Sequence, residues 1–140
     1  MKKIITLLIT FVMCISLCAC VGKKSPEEML KQSQELNWET IEKSISDNKA
    51  KAVENYENKL FNYTASVMNI EEKYCVVSDL KNSTSPLVKV YLNNESLCEI
   101  HKGDLIKVIG SLKNIDTKEI KDAVIIETVA AEDNIVYLNI

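Results

Sequence analysis

Arginine is absent from this sequence: all 17 basic side chains are lysines, set against 20 acids, and the formal charge is −3. Bidentate guanidinium forks and a positive field are the usual tools for holding phosphate. An acidic, arginine-free chain is therefore poorly equipped for a nucleic-acid backbone. Histidine occurs once, at His101. A general base needs an orienting partner and a nucleophile at hand. Lys102, Gly103 and Asp104 follow His101, and no Ser or Cys stands at a recognisable spacing, so His101 reads as an exposed turn residue. A zinc site needs three or four Cys, His or carboxylate ligands. One histidine and the two cysteines Cys75 and Cys98 do not supply them, so neither metal nor cofactor is expected. There is no Cys-x-x-Cys for redox work, no internal repeat and no low-complexity tract. The acid clusters Glu27-Glu28, Glu71-Glu72 and Asp116 to Glu119 fall in turns or near the N-terminus. Solvent there denies them the burial that shifts a catalytic carboxylate. These absences argue against an enzyme.

What is present is ordinary in bulk and unusual at one end. With 140 residues, 46% apolar and 26% charged, the chain reads as one globular domain. Three of its five cysteines, Cys14, Cys18 and Cys20, crowd the first twenty residues. Met1-Lys2-Lys3 is a short positive region. Ile4 to Leu17 is a run of 14 residues, apolar except at Thr6, Thr10 and Ser16. A bilayer-spanning helix needs roughly 20 residues and a secretory signal about 7–15, so the length favours a signal peptide over 1–19. The tetrapeptide Leu17-Cys18-Ala19-Cys20 resembles a lipobox, the mark of bacterial lipoprotein precursors. Ala19 supplies the small residue before the cut. Cys20 supplies the sulfur nucleophile that takes a diacylglyceryl group. Cys14 and Cys18 then belong to a discarded segment. Two acyl chains anchor stably where one is marginal. The expected location is the extracytoplasmic side of a bacterial cell membrane. Removal of Lys2 and Lys3, with no acid, takes the charge from −3 to −5.

The mature chain divides by hydrophobic period. Residues 20–36 read as a polar tether. Over Asn37–Leu60, Trp38, Ile41, Ile45, Ala52, Tyr56 and Leu60 recur at spacings of three, four and seven, giving one apolar stripe of a helix. The stripe falters at Asn48-Lys49, and Ser46-Asp47-Asn48 is good N-cap chemistry. Two short helices or one kinked helix are expected, packed on the chain's own sheet. From Phe61 the period becomes two: Phe61, Tyr63, Ala65 and Val67 mark a half-buried strand. Tyr74 to Ser78 forms a second strand. Val88, Val90 and Leu92 form a third, with Lys89 and Tyr91 on its outer side. A short helical turn follows near Leu97 to Ile100. Leu105 to Leu112 is a fourth strand, in which Gly110 marks a bulge or bend of the kind a closing barrel needs. Glu119 to Val129 is a fifth. Residues 131–140 form an apolar tail or a sixth strand at the edge.

Five strands with a helical element between the third and fourth is the OB-fold order. The expected class is mainly β with N-terminal helices: a barrel over 61–130 preceded by the helical segment 37–60. Trp38, Asn48 to Ala52, Tyr56-Glu57-Asn58-Lys59, Tyr63 to Val67 with Ile70, and Lys102-Gly103-Asp104 with Val108 and Gly110 together resemble the tRNA_anti-like OB-fold family of bacterial secreted proteins and lipoproteins. The resemblance covers roughly residues 38–128, with Ala65 where that family usually has Gly. It implies the barrel and an envelope location. Its members mostly lack an assigned activity.

Lys89 and Tyr91 lie on the third strand, which with the second forms the usual ligand face of such barrels. They are the candidate ligand contacts. Cys75 and Cys98 are either a disulfide, as an extracytoplasmic setting permits, or two separate thiols. The expected function is a membrane-anchored lipoprotein with a non-catalytic OB-fold module that presents itself to a protein, peptide or glycan. The alternatives are capture of single-stranded nucleic acid at the surface, against a charge of −5, and an envelope inhibitor or exclusion lipoprotein.

Overall fold

The structure, a computed structural model, describes residues 25–81 and 85–131. The signal segment 1–19, Cys20 and the tail beyond Ala131 lie outside the described residues. Order begins earlier than a tether over 20–36 allows. The Ser25 hydroxyl caps helix α1, Pro26–Gln32, by accepting the Glu28 N–H. Pro26 fills the first turn, where its missing N–H costs nothing. Glu27 and Glu28 sit at the positive end of the helix dipole and Lys31 at the negative end. Strand β1, Gln34–Glu35, then pairs in parallel with Phe61 and Asn62. Leu36 is buried, and its N–H donates to the Asn62 carbonyl at 2.9 Å. Backbone pairing and one buried leucine thus tie down a segment whose composition reads as polar.

Helix α2, Trp38–Tyr56, starts under an Asn37 cap that accepts the Thr40 N–H at 3.1 Å. It kinks at Asn48, whose φ of −162° and ψ of 98° leave the helical region. The Asn48 carboxamide accepts the Lys51 N–H at 3.1 Å and so caps the second half. Two short helices meeting at Asn48 are therefore the form adopted, and α2 denotes both. Trp38, Ile41 and Ala52 are buried, with Ile45, Val53 and Tyr56 packed behind them against the barrel core. Leu60 does not belong to this stripe. Asn58, at φ 63°, turns the chain, and Leu60 opens the first barrel strand.

The barrel strands are β2 (Leu60–Ile70), β3 (Tyr74–Ser78), β4 (Val88–Tyr91), β5 (Leu105–Asn114) and β6 (Glu119–Val129). Helix α3, Asn94–Glu99, lies between β4 and β5 under an Asn93 cap. The order around the sheet is β2-β3-β4-β6-β5, closed by β2 against β5. All barrel pairs are antiparallel except β4–β6. This is the five-stranded OB-fold barrel with helices on its N-terminal side. Period-two burial fills its centre: Phe61, Tyr63, Ala65 and Val67 from β2 meet Val77, Val88, Val90, Ile106, Val108 and Ile120.

Closure needs curvature, and β2 supplies it by a bulge between Val67 and Asn69. Between β5 and β6 the register shifts three times. At one of these shifts Gly110 lets the strands approach. A Cβ there would collide with Ile120 Cγ2 and lie 3.0 Å from Ala123 Cβ. The turn at 101–104 is docked rather than loose. Gly103, at φ 90°, donates its N–H to the Val67 carbonyl, and Val67 N–H returns a bond to the Asp104 carbonyl, both at 2.8 Å. The buried Asp104 carboxylate accepts the N–H of His101 at 2.8 Å and of Ala131 at 3.2 Å.

Candidate functional site

Lys89 and Tyr91 stand where alternation puts them, on the outer face of β4, while Val88 and Val90 fill the barrel. The register then adds residues that the single strand does not announce. Tyr74 of β3 lies directly across from Tyr91. The two rings are 5.2 Å apart and tilted by 42°, an arrangement that aromatic quadrupoles favour. Lysine ammonium groups lie over both rings, Lys89 over Tyr74 at 5.2 Å and Lys121 of β6 over Tyr91 at 5.1 Å. Each is within cation–π range.

The third strand of this face contributes a carboxylate. Glu119 pairs with Lys89 in the parallel β4–β6 ladder. Its Oε1 accepts the Tyr91 hydroxyl at 2.9 Å and its Oε2 accepts the Thr117 hydroxyl at 2.6 Å. These two hydrogen bonds, Thr117 first, hold the Glu119 carboxyl below the usual carboxylate range, with help from the charges of Lys121 and Lys89. The same bond to Glu119, followed by burial and the Glu119 charge, raises the Tyr91 hydroxyl. Tyr91 is thereby fixed as a neutral hydroxyl and Glu119 as an anion. A depression of about 750 Å³ opens beside Tyr91, lined by Glu72, Lys73, Asn93 and Asp122.

Chemically this face can stack a flat or CH-rich surface on Tyr74 and Tyr91 and offer two ammonium groups at its edge. Sequence reading found Lys89 and Tyr91 but missed Tyr74, Lys121 and Glu119. Tyr74 heads an alternating run, Tyr74 and Val76 against Cys75 and Val77, and that signal places it outward. Its pairing with Tyr91 depends on the register across the β3–β4 connection, which the strand pattern alone does not set. Lys121 arrives through the barrel closure, beyond any local signal.

The other singled-out residues are dispersed. The His101 side chain is 82% exposed, with Nδ1 3.7 Å from Asp104 Oδ2, and it sits in the docked turn. Cys75 and Cys98 are not bridged. Cys75 points into the barrel from β3, where burial pushes its thiol up to about 11, whereas Cys98 is exposed on α3. Glu71 and Glu72 are exposed, and Asp116 pairs with Lys49 at 2.9 Å on the surface. Among the described residues, no three His, Cys, Asp or Glu side chains converge to hold a metal, and no helix is long and apolar enough to cross a membrane. A groove of about 570 Å³ runs beside β2 and β5, past Leu36, Leu80, Leu105 and Lys107 to Ala131.

No family model matches this chain, and no curated protein matches it either.

Proposed function

We propose that this chain is a membrane-anchored lipoprotein, lipidated at Cys20, whose OB-fold barrel is a non-catalytic binding module. The observation that carries the binding reading is the half-buried, outward-facing Tyr74–Tyr91 ring pair with Lys89 and Lys121 over it, on the two strands where such barrels usually hold ligands. Kinship with the tRNA_anti-like OB-fold proteins of bacterial envelopes is part of the proposal, and it rests on the resembling residues, Trp38 and Lys102-Gly103-Asp104 among them. The partner is a glycan or peptide of the envelope. Tyrosine faces stack on sugar rings and on side chains alike, and the lysines favour a ligand with some negative charge.

The same rings and lysines favour a second reading, single-stranded nucleic acid, in which bases stack on the tyrosines. A domain of charge −5 opposes it. Titrating the chain with soluble peptidoglycan fragments, and separately with an oligothymidine at low salt, distinguishes the two. The expected result is a saturable response to the glycan that the Tyr74→Ala/Tyr91→Ala double variant loses. Retention of the oligonucleotide, weakening steeply with salt, installs the second reading. Indifference to both removes the ring pair as a binding face. The anchor is tested separately: Cys20→Ser is expected to move the protein from the detergent phase to the aqueous phase in phase partitioning.

A further inference from the structure

The groove of about 570 Å³ on the outer wall of β2 and β5 shares no residue with the Tyr74–Tyr91 face. Its floor follows from strand alternation. Thr64 and Ser66 of β2 lie across from Lys107 and Leu105 of β5, while their neighbours Ala65 and Ile106 turn into the core. Leu36, just past β1, and Leu80, just past β3, border that floor. Leu80 is 52% exposed and Leu105 half-buried, so the groove presents apolar surface. Glu35 and Asp79 balance Lys81 and Lys107 around it. A border without net charge suits a neutral, apolar occupant.

The chain leaves the barrel at this groove. Strand β6 ends at Val129, opposite Leu105. Two residues on, Ala131 is pinned. Its N–H donates to the buried Asp104 carboxylate at 3.2 Å. It also lies against Gly103, where an added Cβ would stand 3.1 Å from the Ala131 Cβ. Ala131 itself lines the groove, so residue 132 starts at its border. The residues that follow are Glu132, Asp133 and Asn134, then Ile135-Val136-Tyr137-Leu138-Asn139-Ile140, with five apolar side chains in six.

Length and tethering favour this segment as the occupant. From Ser66 to Asn62 the groove follows β2 for four residues, about 13 Å at the strand rise. The nine residues 132–140 reach about 30 Å extended and about 14 Å as a helix, so either form covers that distance. A segment joined directly to the border of its site meets it at an effective concentration on the order of millimolar. An untethered peptide of the same character has to compete with that.

We propose that residues 135–140 dock into this groove of their own chain, covering Leu80 and Leu105, with Ala131 fixing the point of entry. The groove is then a peptide-accepting surface whose resident occupant is the chain itself. The docking involves neither the ring pair nor the lipid anchor, so it stands or falls separately from the proposed function.

Disulfide trapping in the full chain, held in lipid nanodiscs, tests the docking. Lys81→Cys places a thiol at an exposed position in the groove, and Asn139→Cys places one in the segment, while every apolar side chain of both is kept. The exposed Cys98 on α3 is a built-in competitor outside the groove. Under mild oxidation, mass mapping is expected to show the 81–139 bridge within one chain, exceeding the 98–139 bridge by about tenfold or more. Adding Ile135→Asp/Leu138→Asp, which alters no residue of the barrel, is expected to remove that preference. Equal yields of the two bridges overturn the proposal, because the segment then has no preferred seat. An 81–139 bridge that survives both aspartates overturns it too, since nearness alone then explains it. Bridges found only between two copies, in a mixture of chains labelled with light and heavy nitrogen, overturn it in favour of a second copy as the occupant.

Discussion

Gly110 carries a large burden for a residue without a side chain. It sits where β5 and β6 close upon each other, and the atom a methyl would strike, Ile120 Cγ2, belongs to a fully buried branched side chain with nowhere to swing. Overpacking of this kind costs about 1–3 kcal/mol. Gly110→Ala is accordingly expected to lower the urea midpoint without changing the slope. The cysteines give a second test at this scale. Thiolate is the reactive form, and Cys75 is both buried and held protonated, with its thiol pushed up to about 11. In the native chain a thiol reagent is expected to label Cys98 and spare Cys75. Labelling of Cys75 is expected only in denaturant, and mass mapping reads both sites. Protection of Cys98 in the native chain would contradict the exposed, unbridged thiol.

Among the elements, those with a period could be read from sequence and those without one could not. Strand β6 occupies Glu119–Val129, the run that the sequence marks, and the kink in α2 falls on the asparagine whose cap chemistry announces it. The cap also makes a prediction: Asn48→Ala removes the acceptor for the Lys51 N–H and is expected to cost about 1 kcal/mol. The loss should show as a lower thermal midpoint with the Trp38 environment unchanged. Strand β1 and helix α1 were not legible. Two residues of strand have no period, and Gln34-Glu35 is polar on both sides. They become a strand only because β2 offers its edge and Leu36 its burial. The candidate face was half legible for a related reason. Alternation tells which residues of a strand point outward, whereas the register that sets Tyr74 against Tyr91, and the closure that brings Lys121 over them, are properties of the assembled barrel.

At the scale of the whole molecule, the barrel is held shut unevenly. Antiparallel ladders run along β2–β5 and β5–β6, but β4 meets β6 through Lys89↔Glu119 and Val90↔Ile120 only. Side chains reinforce that short join, since the Tyr91 hydroxyl crosses it to Glu119. The Glu119 carboxyl titrates below its ordinary value in the folded chain. Its contribution to stability is therefore complete above the unfolded value of about 4.3. It is lost as pH falls through that value towards the lower folded one. Glu119→Gln is expected to flatten the acid limb of the stability curve in that window while leaving the limb above neutrality unchanged.

The same join has a consequence for how the module would respond to whatever it holds. Opening of the cylinder is expected to start at its shortest seam, and Tyr91 of β4 and Lys121 of β6 meet across that seam. An occupant resting on Tyr91 and held by Lys121 would act as a clasp across it. Amide hydrogens of Val90 and Ile120 should then exchange more slowly with solvent deuterium when the face is filled, while those along β2–β5 keep their pace.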